Sequence, residues 1–220
     1  ADHPPAIPVA VVHPVDDVSL TGAVAAAHQG LIIPLLVGPA AKIRAAADAA
    51  RLDISEFELI DVPHSHAAAE RAVALVREGR AEALMKGALH TDELMHEVLK
   101  RDSGLRTERC ISHVMAFDVP TYPRPLFITD AAINISPSLD QKRDIICNAI
   151  ELAHALGNQD PRVAILSAVE TVNPRIPSTL DAAALCKMAD RGQICGGTLD
   201  GPLAFDNAIS ESAARTKGID

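Results

Sequence analysis

The chain has 220 residues, which is enough for one large domain or two small ones. Its net charge of −9 argues against nucleic acid or an anionic membrane as the general partner, but it leaves room for a locally bound phosphate. Aromatic residues make up 2% of the chain, which argues against a surface that stacks on bases. Four scattered cysteines, no secretory signal and no apolar run near the roughly 18 residues of a membrane span predict a reduced, cytoplasmic protein.

The first part of the chain alternates apolar strands with Ala-rich helices. Four short apolar runs predict strands at 7–12, 32–37, 57–62 and 83–85. The apolar spacing of the intervening and following segments predicts helices at 17–29, 39–51, 67–78 and 92–100. Gly30 is placed to end the first helix and Pro39 to begin the second, while Ser65 and Thr91 are expected to cap the other two.

This alternation stops in the middle of the chain. Two predicted strands, 110–119 and 126–129, are joined by a Pro-rich turn with no helix between them. The pattern indicates an antiparallel hairpin or a crossing between domains. We therefore expect a first α/β domain over residues 1–122 and a second over 123–220.

The last part returns to mixed helices and strands. A long helix is predicted over 138–156, followed by a strand at 162–167 and a helix at 178–190. A short strand at 193–196 and a final helix at 202–216 are expected to complete the chain. Apolar strands that alternate with helices predict an α/β fold with mainly parallel sheets flanked by helices.

In open α/β sheets, ligands bind at the loops that follow the carboxyl ends of the strands. Those loops contain His13-Pro14, Lys86-Gly87 and the runs 127–130, 167–173 and 198–201. Three of the five carry hydroxyls beside a carboxylate, which suits a phosphate or an acyl phosphate. The alternative is that these residues cap the following helices. Lys86 would place its ammonium at this edge, with an ordinary surface lysine as the alternative.

Other chemistries have weaker support in the sequence. The glycine-rich nucleotide-binding patterns and the GxSxG pattern of hydrolases are missing. The histidines and cysteines lack metal-ligand spacing, so we predict no bound metal and no permanently bound cofactor. Cys110 and Cys195 are candidate nucleophiles for a thioester route, but buried, inert thiols are far commoner.

Several long runs resemble the phosphate acetyl/butyryltransferase family, and its butyryl branch most closely. They are LFITDAAIN at 126–134, VAILSAVETVN at 163–173, MADRGQ at 188–193 and DGPLAFDNA at 200–208. MKG at 85–87 and SH at 112–113 also match. The chain is also similar to the acyltransferase part of proteins in which enoyl-CoA hydratase is fused to phosphate acetyltransferase.

The resemblance implies a two-domain fold similar to isocitrate and isopropylmalate dehydrogenases, with the active cleft between domains and a homodimer formed through the second domain. It implies reversible transfer of an acetyl or butyryl group between coenzyme A and phosphate, by direct thiol attack in a ternary complex. Coenzyme A is then a substrate, and neither nucleic acid nor a membrane is expected as a partner. A dehydrogenase with the same fold would need a metal-binding carboxylate cluster and an NAD pocket; we find no such cluster in the sequence.

Within the resemblance, candidate substrate-binding residues follow from the matched runs. Ser112 and Thr129 are candidate donors to the phosphoryl oxygens, and Ser167 and Thr171 are expected to line the acyl or phosphate pocket. Asn134 is expected to orient a ligand or to hold the loop after residue 130. Lys86 joins this set as a source of positive charge or as an anchor for its loop.

One departure from the family concerns the residues past 217–219. In the family, a further segment carries the Ser, Arg and Asp to which transition-state stabilisation and thiol activation are assigned, and these have no counterpart up to Asp220. We therefore assign no catalytic role of the family to a residue of this chain, and we expect little transferase activity from the 220 residues alone. A non-catalytic or truncated binding or oligomerisation fragment is the alternative. Asp200 and Asp206 are expected to be caps or helpers.

Overall fold

The computed structural model describes residues 4–219 of the chain. The chain divides into two compact units, the first ending at Thr107 and the second beginning at Glu108. This division lies upstream of the expected boundary at 122/123, because the segment before the hairpin is hydrogen-bonded to a helix of the second unit. None of the described helices is long and apolar enough to cross a membrane.

The first unit is a four-stranded parallel sheet with helices between its strands. Its elements are β1 (Ile7–Val12), α1 (Asp17–His28), β2 (Ile32–Gly38), α2 (Ala40–Ala50), β3 (Glu58–Asp61), α3 (Ser65–Arg77), β4 (Ala83–Lys86) and α4 (Thr91–Val98). The strand order is β3-β2-β1-β4, and every neighbouring pair is parallel. The chain adds β2 and β3 on one side of β1 and then returns to add β4 on the other side. The order of strand addition therefore reverses between β1 and β4, and α/β sheets bind ligands at such a position.

The core of the first unit follows from the alternation of side chains along its strands. Ala10 and Val12 face one side of β1 and pack against buried residues of α3 and α4. Val11 faces the other side and packs with Leu36 of β2 against α1 and α2. Because helices cover both faces, the central strands are apolar at every position, as the sequence predicts.

Helix starts in this unit differ from two predictions. The residue that caps α3 is His64, whose Nδ1 accepts a hydrogen bond from the Ala67 amide at 3.1 Å, so Ser65 is already inside the helix. α4 likewise begins at Thr91, with His90 as its N-cap and no side-chain capping bond. Both predicted caps were wrong by one residue. At α3 the reason is that a histidine nitrogen can accept the bond that a serine oxygen usually takes.

Over its described residues, 108–219, the second unit contains two small sheets and four helices. Its elements are β5 (Val114–Phe117), β6 (Leu126–Thr129), α5 (Leu139–Ala155), β7 (Arg162–Leu166), α6 (Pro177–Asp190), β8 (Thr198–Leu203), α7 (Phe205–Ile209) and α8 (Glu211–Lys217). β5 and β6 form the predicted antiparallel hairpin, whereas β7 and β8 are parallel. α5 begins with a capping box between Ser138 and Gln141, and its buried face packs with α6 around Ile146, Ile150 and Leu185.

The end of the chain differs most from the prediction. The strand expected at 193–196 is a turn, and the strand lies instead at Thr198–Leu203. Gly192 and Gly196 have φ values of 72° and 89°, which suit a turn and not a strand. The single helix expected at 202–216 is two short helices, because Ser210 interrupts it and caps α8 by accepting from the Ala213 amide.

Candidate functional site

The four residues before β5, Cys110 to His113, form a segment that α5 holds in place. The Cys110 amide donates to Asp144 Oδ2 at 3.1 Å. Asn148 Nδ2 donates to the Cys110 carbonyl at 3.0 Å and to Ser112 Oγ at 2.9 Å. Asp144 and Asn148 are four residues apart, so they share one face of α5. We call residues 110–113 the anchored segment.

The hairpin and the loop after it hold the same segment from another direction. Thr129 Oγ1, at the end of β6, donates to the His113 carbonyl at 3.0 Å. Asn134 Nδ2 donates to the Ile111 carbonyl at 2.9 Å and also to the Asp130 carboxylate. The anchored segment is therefore fixed by side chains that lie 16 to 38 residues away along the chain.

Two carboxylates at this site are held in the ionised state. Burial disfavours the charge on Asp130, but the Asn134 side chain and three backbone amides outweigh it and lower the pKa of this carboxyl. Burial opposes ionisation of Asp144 as well, yet the Cys110 amide and the Arg143 guanidinium together lower its pKa. Both groups therefore act as fixed acceptors at neutral pH.

The hydrogen bonds also show which donors remain for a ligand. Thr129 gives its proton to His113, and the amide hydrogens of Asn134 go to Ile111 and Asp130. Ser112 differs, because it accepts from Asn148 and, among the described residues, no acceptor is paired with its own proton. The structure brings Ser112, Thr129 and Asn134 to one segment, and among these three it leaves a free hydroxyl proton only on Ser112.

Ser167 and Thr171 lie at the carboxyl end of the β7–β8 pair. The Ser167 amide donates to the Leu203 carbonyl at 2.9 Å, and its hydroxyl is 2.8 Å from that of Ser178 at the start of α6. One proton of this hydroxyl pair is left for another acceptor. Thr171 is exposed on the following loop. The loop is tied to α8 by an ion pair of 3.4 Å between Glu170 and Lys217.

Lys86 belongs to the first unit and is the last residue of β4. It therefore stands at the carboxyl edge of the sheet, beside the point where the strand order reverses. Its ammonium is exposed and 3.4 Å from the Gly87 carbonyl. A Cβ on Gly87 would lie 2.5 Å from the Val12 carbonyl oxygen, so only glycine allows the chain to turn there.

The two acidic candidates near the end of the chain have local structural roles. Asp200 Oδ1 accepts from the Gly201 amide at 2.8 Å, and Asp206 Oδ1 accepts from the Asn207 amide at 3.0 Å. Asp200 lies within β8, so the run 198–201 is part of a strand instead of the ligand loop that the sequence suggested. The sequence suggested a loop because the run 198–201 contains exposed polar residues and a glycine.

The two candidate nucleophiles differ in their surroundings: Cys110 is half-buried, whereas Cys195 is exposed with its Sγ 3.2 Å from the Gly192 carbonyl oxygen. Burial raises the pKa of the thiols of Cys110, Cys147 and Cys186, which makes them poor nucleophiles at neutral pH. Residues 4–219 contain no group of three or more His, Cys, Asp or Glu side chains placed to hold a metal ion.

A surface hollow lies in the first unit between α3 and α4, away from every predicted site residue of that unit. Glu70, Arg77 and Glu97 line it. The Arg77 guanidinium is already bonded to the carbonyls of Asp102 and Gly104, so it serves to hold the turn after α4.

Sequence reasoning missed Asp144 and Asn148, which hold the anchored segment. They lie beside the apolar stripe of a predicted helix, where polar residues are usually solvated. The signal that could have found them is their spacing of four residues on one face of a helix, next to the buried Ile145. That spacing alone does not say which segment the face contacts.

Comparisons with known proteins identify the family of the chain. The profile of the family described as Phosphate acetyl/butaryl transferase matches residues 63–220. The chain is 65% identical over 98% of its length to a phosphate acetyltransferase of Rhizobium meliloti, and 45% identical over 88% to a phosphate butyryltransferase of Clostridium acetobutylicum. It spans 68% and 64% of the lengths of these relatives.

Solved structures show the same architecture. The crystal structure of a branched-chain phosphotransacylase from Enterococcus faecalis superposes with a TM-score of 0.82 at 28% identity, over 97% of this chain and 74% of that one. A 4-hydroxythreonine-4-phosphate dehydrogenase from Klebsiella pneumoniae shares the fold with a TM-score of 0.57 at 15% identity, over 93% and 75% of the two chains, consistent with the predicted dehydrogenase-like α/β fold. Since the family profile covers more than half of the sequence, the chain belongs to the phosphate acetyl/butyryl transferase family.

Proposed function

We propose that this protein is a phosphate acyltransferase, which moves an acetyl or butyryl group reversibly between coenzyme A and inorganic phosphate. The observation that carries the proposal is the Ser112 hydroxyl, fixed by α5 with its proton free, in a segment held by the loop that bears the family-like run 126–134. A rigidly held donor of this kind suits a phosphoryl oxygen, which is a strong acceptor.

The reaction requires two things of the protein in a ternary complex. In the direction of acyl-CoA synthesis, the coenzyme A sulfur attacks the acyl phosphate carbonyl, so a thiol with a pKa of about 8.5 must lose its proton. The negative charge on the tetrahedral centre must then be met by fixed donors, each contributing about 3 kcal/mol. Phosphate leaves with the electrons of the broken C–O bond.

The proposed contacts divide between two kinds of residue. Ser112, Ser167 and Thr171 are proposed to donate to the phosphoryl or acyl oxygens, and Lys86 to supply positive charge. Thr129 and Asn134 are proposed to support the anchored segment, because their donor hydrogens are already used within the protein.

We also propose that coenzyme A binds only as a substrate, that the protein is cytoplasmic, and that it forms a homodimer through its second unit. The free thiols of all four cysteines support a reducing compartment. Exposed apolar side chains of the hairpin and the loop after it, Met115, Phe117 and Ile135, support a partner surface there. Sedimentation equilibrium of the purified protein should give twice the monomer mass; a monomer would refute the dimer.

The function is tested by incubating the full-length protein with phosphate and either acetyl-CoA or butyryl-CoA. Acyl phosphate formation is followed by ³¹P NMR, a readout that does not depend on the protein's thiols. We expect a new acyl phosphate signal, with the ratio of the two rates giving the preferred acyl length. Ser112→Ala should lower kcat/KM for phosphate about tenfold, whereas the exposed control Ser136→Ala should not. Coenzyme A binding without any acyl phosphate from either thioester would instead identify a non-catalytic binding module.

A further inference from the structure

We infer that Asn148 is a positioning residue that makes Ser112 a hydrogen-bond donor to the phosphate substrate. The inference rests on the proposed function and adds a residue that takes no part in the chemistry itself. It follows from the direction of three hydrogen bonds around the anchored segment, each of which is fixed by the chemistry of its atoms.

The first step fixes the orientation of the Asn148 carboxamide. Its Nδ2 lies 3.0 Å from the Cys110 carbonyl oxygen, which has lone pairs and no hydrogen. The amide must therefore turn its NH₂ group toward Cys110, because the opposite orientation would place two acceptors against each other. The Cys110 amide, in turn, donates to Asp144 at 3.1 Å, so α5 bonds to both the N–H and the C=O of Cys110.

The second step fixes the role of Ser112. The same Nδ2 lies 2.9 Å from Ser112 Oγ, and an NH₂ group can only donate. Ser112 must accept this bond, so its own proton points elsewhere. Among the described residues no acceptor is paired with that proton, and the Asn148 NH₂ group cannot take it.

The third step is the class of ligand that this arrangement selects. A hydroxyl whose oxygen already accepts a hydrogen bond is a better donor, because the bonds polarise one another. Anionic phosphoryl oxygens are strong acceptors, and both inorganic phosphate and coenzyme A carry them. We assign the Ser112 donor to inorganic phosphate, so the effect of Asn148 should be seen mainly in the KM for phosphate. An effect mainly on the KM for acyl-CoA would assign it to the phosphates of coenzyme A and would overturn the inference.

The test is a double-mutant cycle on the full-length protein. Asn148→Asp keeps the size of the side chain but offers only acceptors, so Ser112 will turn its proton toward residue 148. We expect Ser112→Ala and Asn148→Asp each to raise the phosphate KM about tenfold, and the double variant to be no worse than Ser112→Ala alone. Asn148→Ala, which places no charge beside the Cys110 carbonyl, serves as a second variant should the aspartate unfold the protein. Asn148→Ala should raise the phosphate KM less than Asn148→Asp does. It should not raise it further when Ser112 is already alanine.

The matched control is Asn158→Asp, the same change at an exposed position where an oxygen accepts the Asp160 amide. It should leave the phosphate KM unchanged. A structural role for Asn148 would lower activity equally with and without the Ser112 hydroxyl, and that result overturns the inference, as does an unchanged phosphate KM. If the unaltered protein forms no acyl phosphate, the proposed function itself is refuted. If the unaltered protein transfers the acyl group but Asn148→Asp and Ser112→Ala act independently, only the inference about Asn148 is refuted.

Discussion

Different forces stabilise the parallel sheet of the first unit and the anchored segment of the second unit. In the sheet, helices cover both faces, and residues such as Val11 and Leu36 are fully buried. In the anchored segment, polar side chains from α5, β6 and the loop after β6 bond to the backbone. The comparison teaches that apolar burial builds the scaffold, whereas directed side-chain hydrogen bonds place the groups proposed to meet substrate.

The largest expected loss of stability comes from a substitution in the apolar core of the first unit. Leu36→Ala in β2 removes a side chain with 0% exposure and leaves a cavity between the sheet and α1, which should cost about 3 kcal/mol of unfolding free energy. The control Leu31→Ala alters a side chain that is 51% exposed and should cost far less. Urea unfolding followed by circular dichroism measures both, and equal losses would contradict the assignment of this core.

A smaller effect is expected from the main anchor of the second unit. Asp144→Ala leaves the Cys110 amide without its acceptor and removes the nearer of the two carboxylates beside Arg143, which should cost about 2 kcal/mol. Asp140→Ala removes a carboxylate of the same helix that also faces Arg143 but is 80% exposed, and it should cost at most about 0.5 kcal/mol. If the two variants unfold at the same urea concentration, the anchored segment is not held as described.

A third prediction uses pH. Because the pKa of Asp130 is lowered in the folded protein, its stabilising effect is complete above its unfolded value of about 3.9 and disappears as the pH falls through the folded value. Asp130→Asn sets an amide against Asn134 Nδ2 and should cost about 1 kcal/mol at pH 7.

The difference in unfolding free energy between Asp130→Asn and the unaltered protein should be constant from pH 7 to about pH 5 and should shrink below about pH 4. Urea unfolding at a series of pH values measures it. A difference that grows on acidification would mean that the carboxylate is not the stabilising form.

The sequence predicts the scaffold well because apolar periodicity and glycine or proline punctuation determine it. All four strands of the first sheet and the β5–β6 hairpin lie where the pattern places them, within a few residues. The β8 strand escapes prediction because its first residues alternate between polar and apolar and its Gly and Pro are typical of loops. Tertiary packing on α6 and β7, which no local pattern encodes, makes it a strand.

The candidate site could be predicted only in part. The family-like runs indicate Ser112, Thr129 and Asn134, and the structure places all three around one segment. The direction of each hydrogen bond is a property of the folded arrangement, so the sequence could not distinguish a hydroxyl that supports the backbone from one that is free to donate. The roles of Asp144 and Asn148 could not be predicted either, because their hydrogen-bond partners are brought to them only by folding.

The most direct test compares the phosphate KM and the stability of Ser112→Ala with those of Thr129→Val. Ser112→Ala should raise the phosphate KM about tenfold, because the proton that it removes is free in the folded protein. It should also lower the unfolding free energy by about 1 kcal/mol, because the Asn148 side chain loses one of its two acceptors. Thr129→Val should lower the unfolding free energy by about 1 kcal/mol, because it breaks the bond to the His113 carbonyl, and leave the phosphate KM within about twofold. Equal changes of the phosphate KM in both variants, or none in Ser112→Ala, would contradict the division between supporting and substrate-binding hydroxyls.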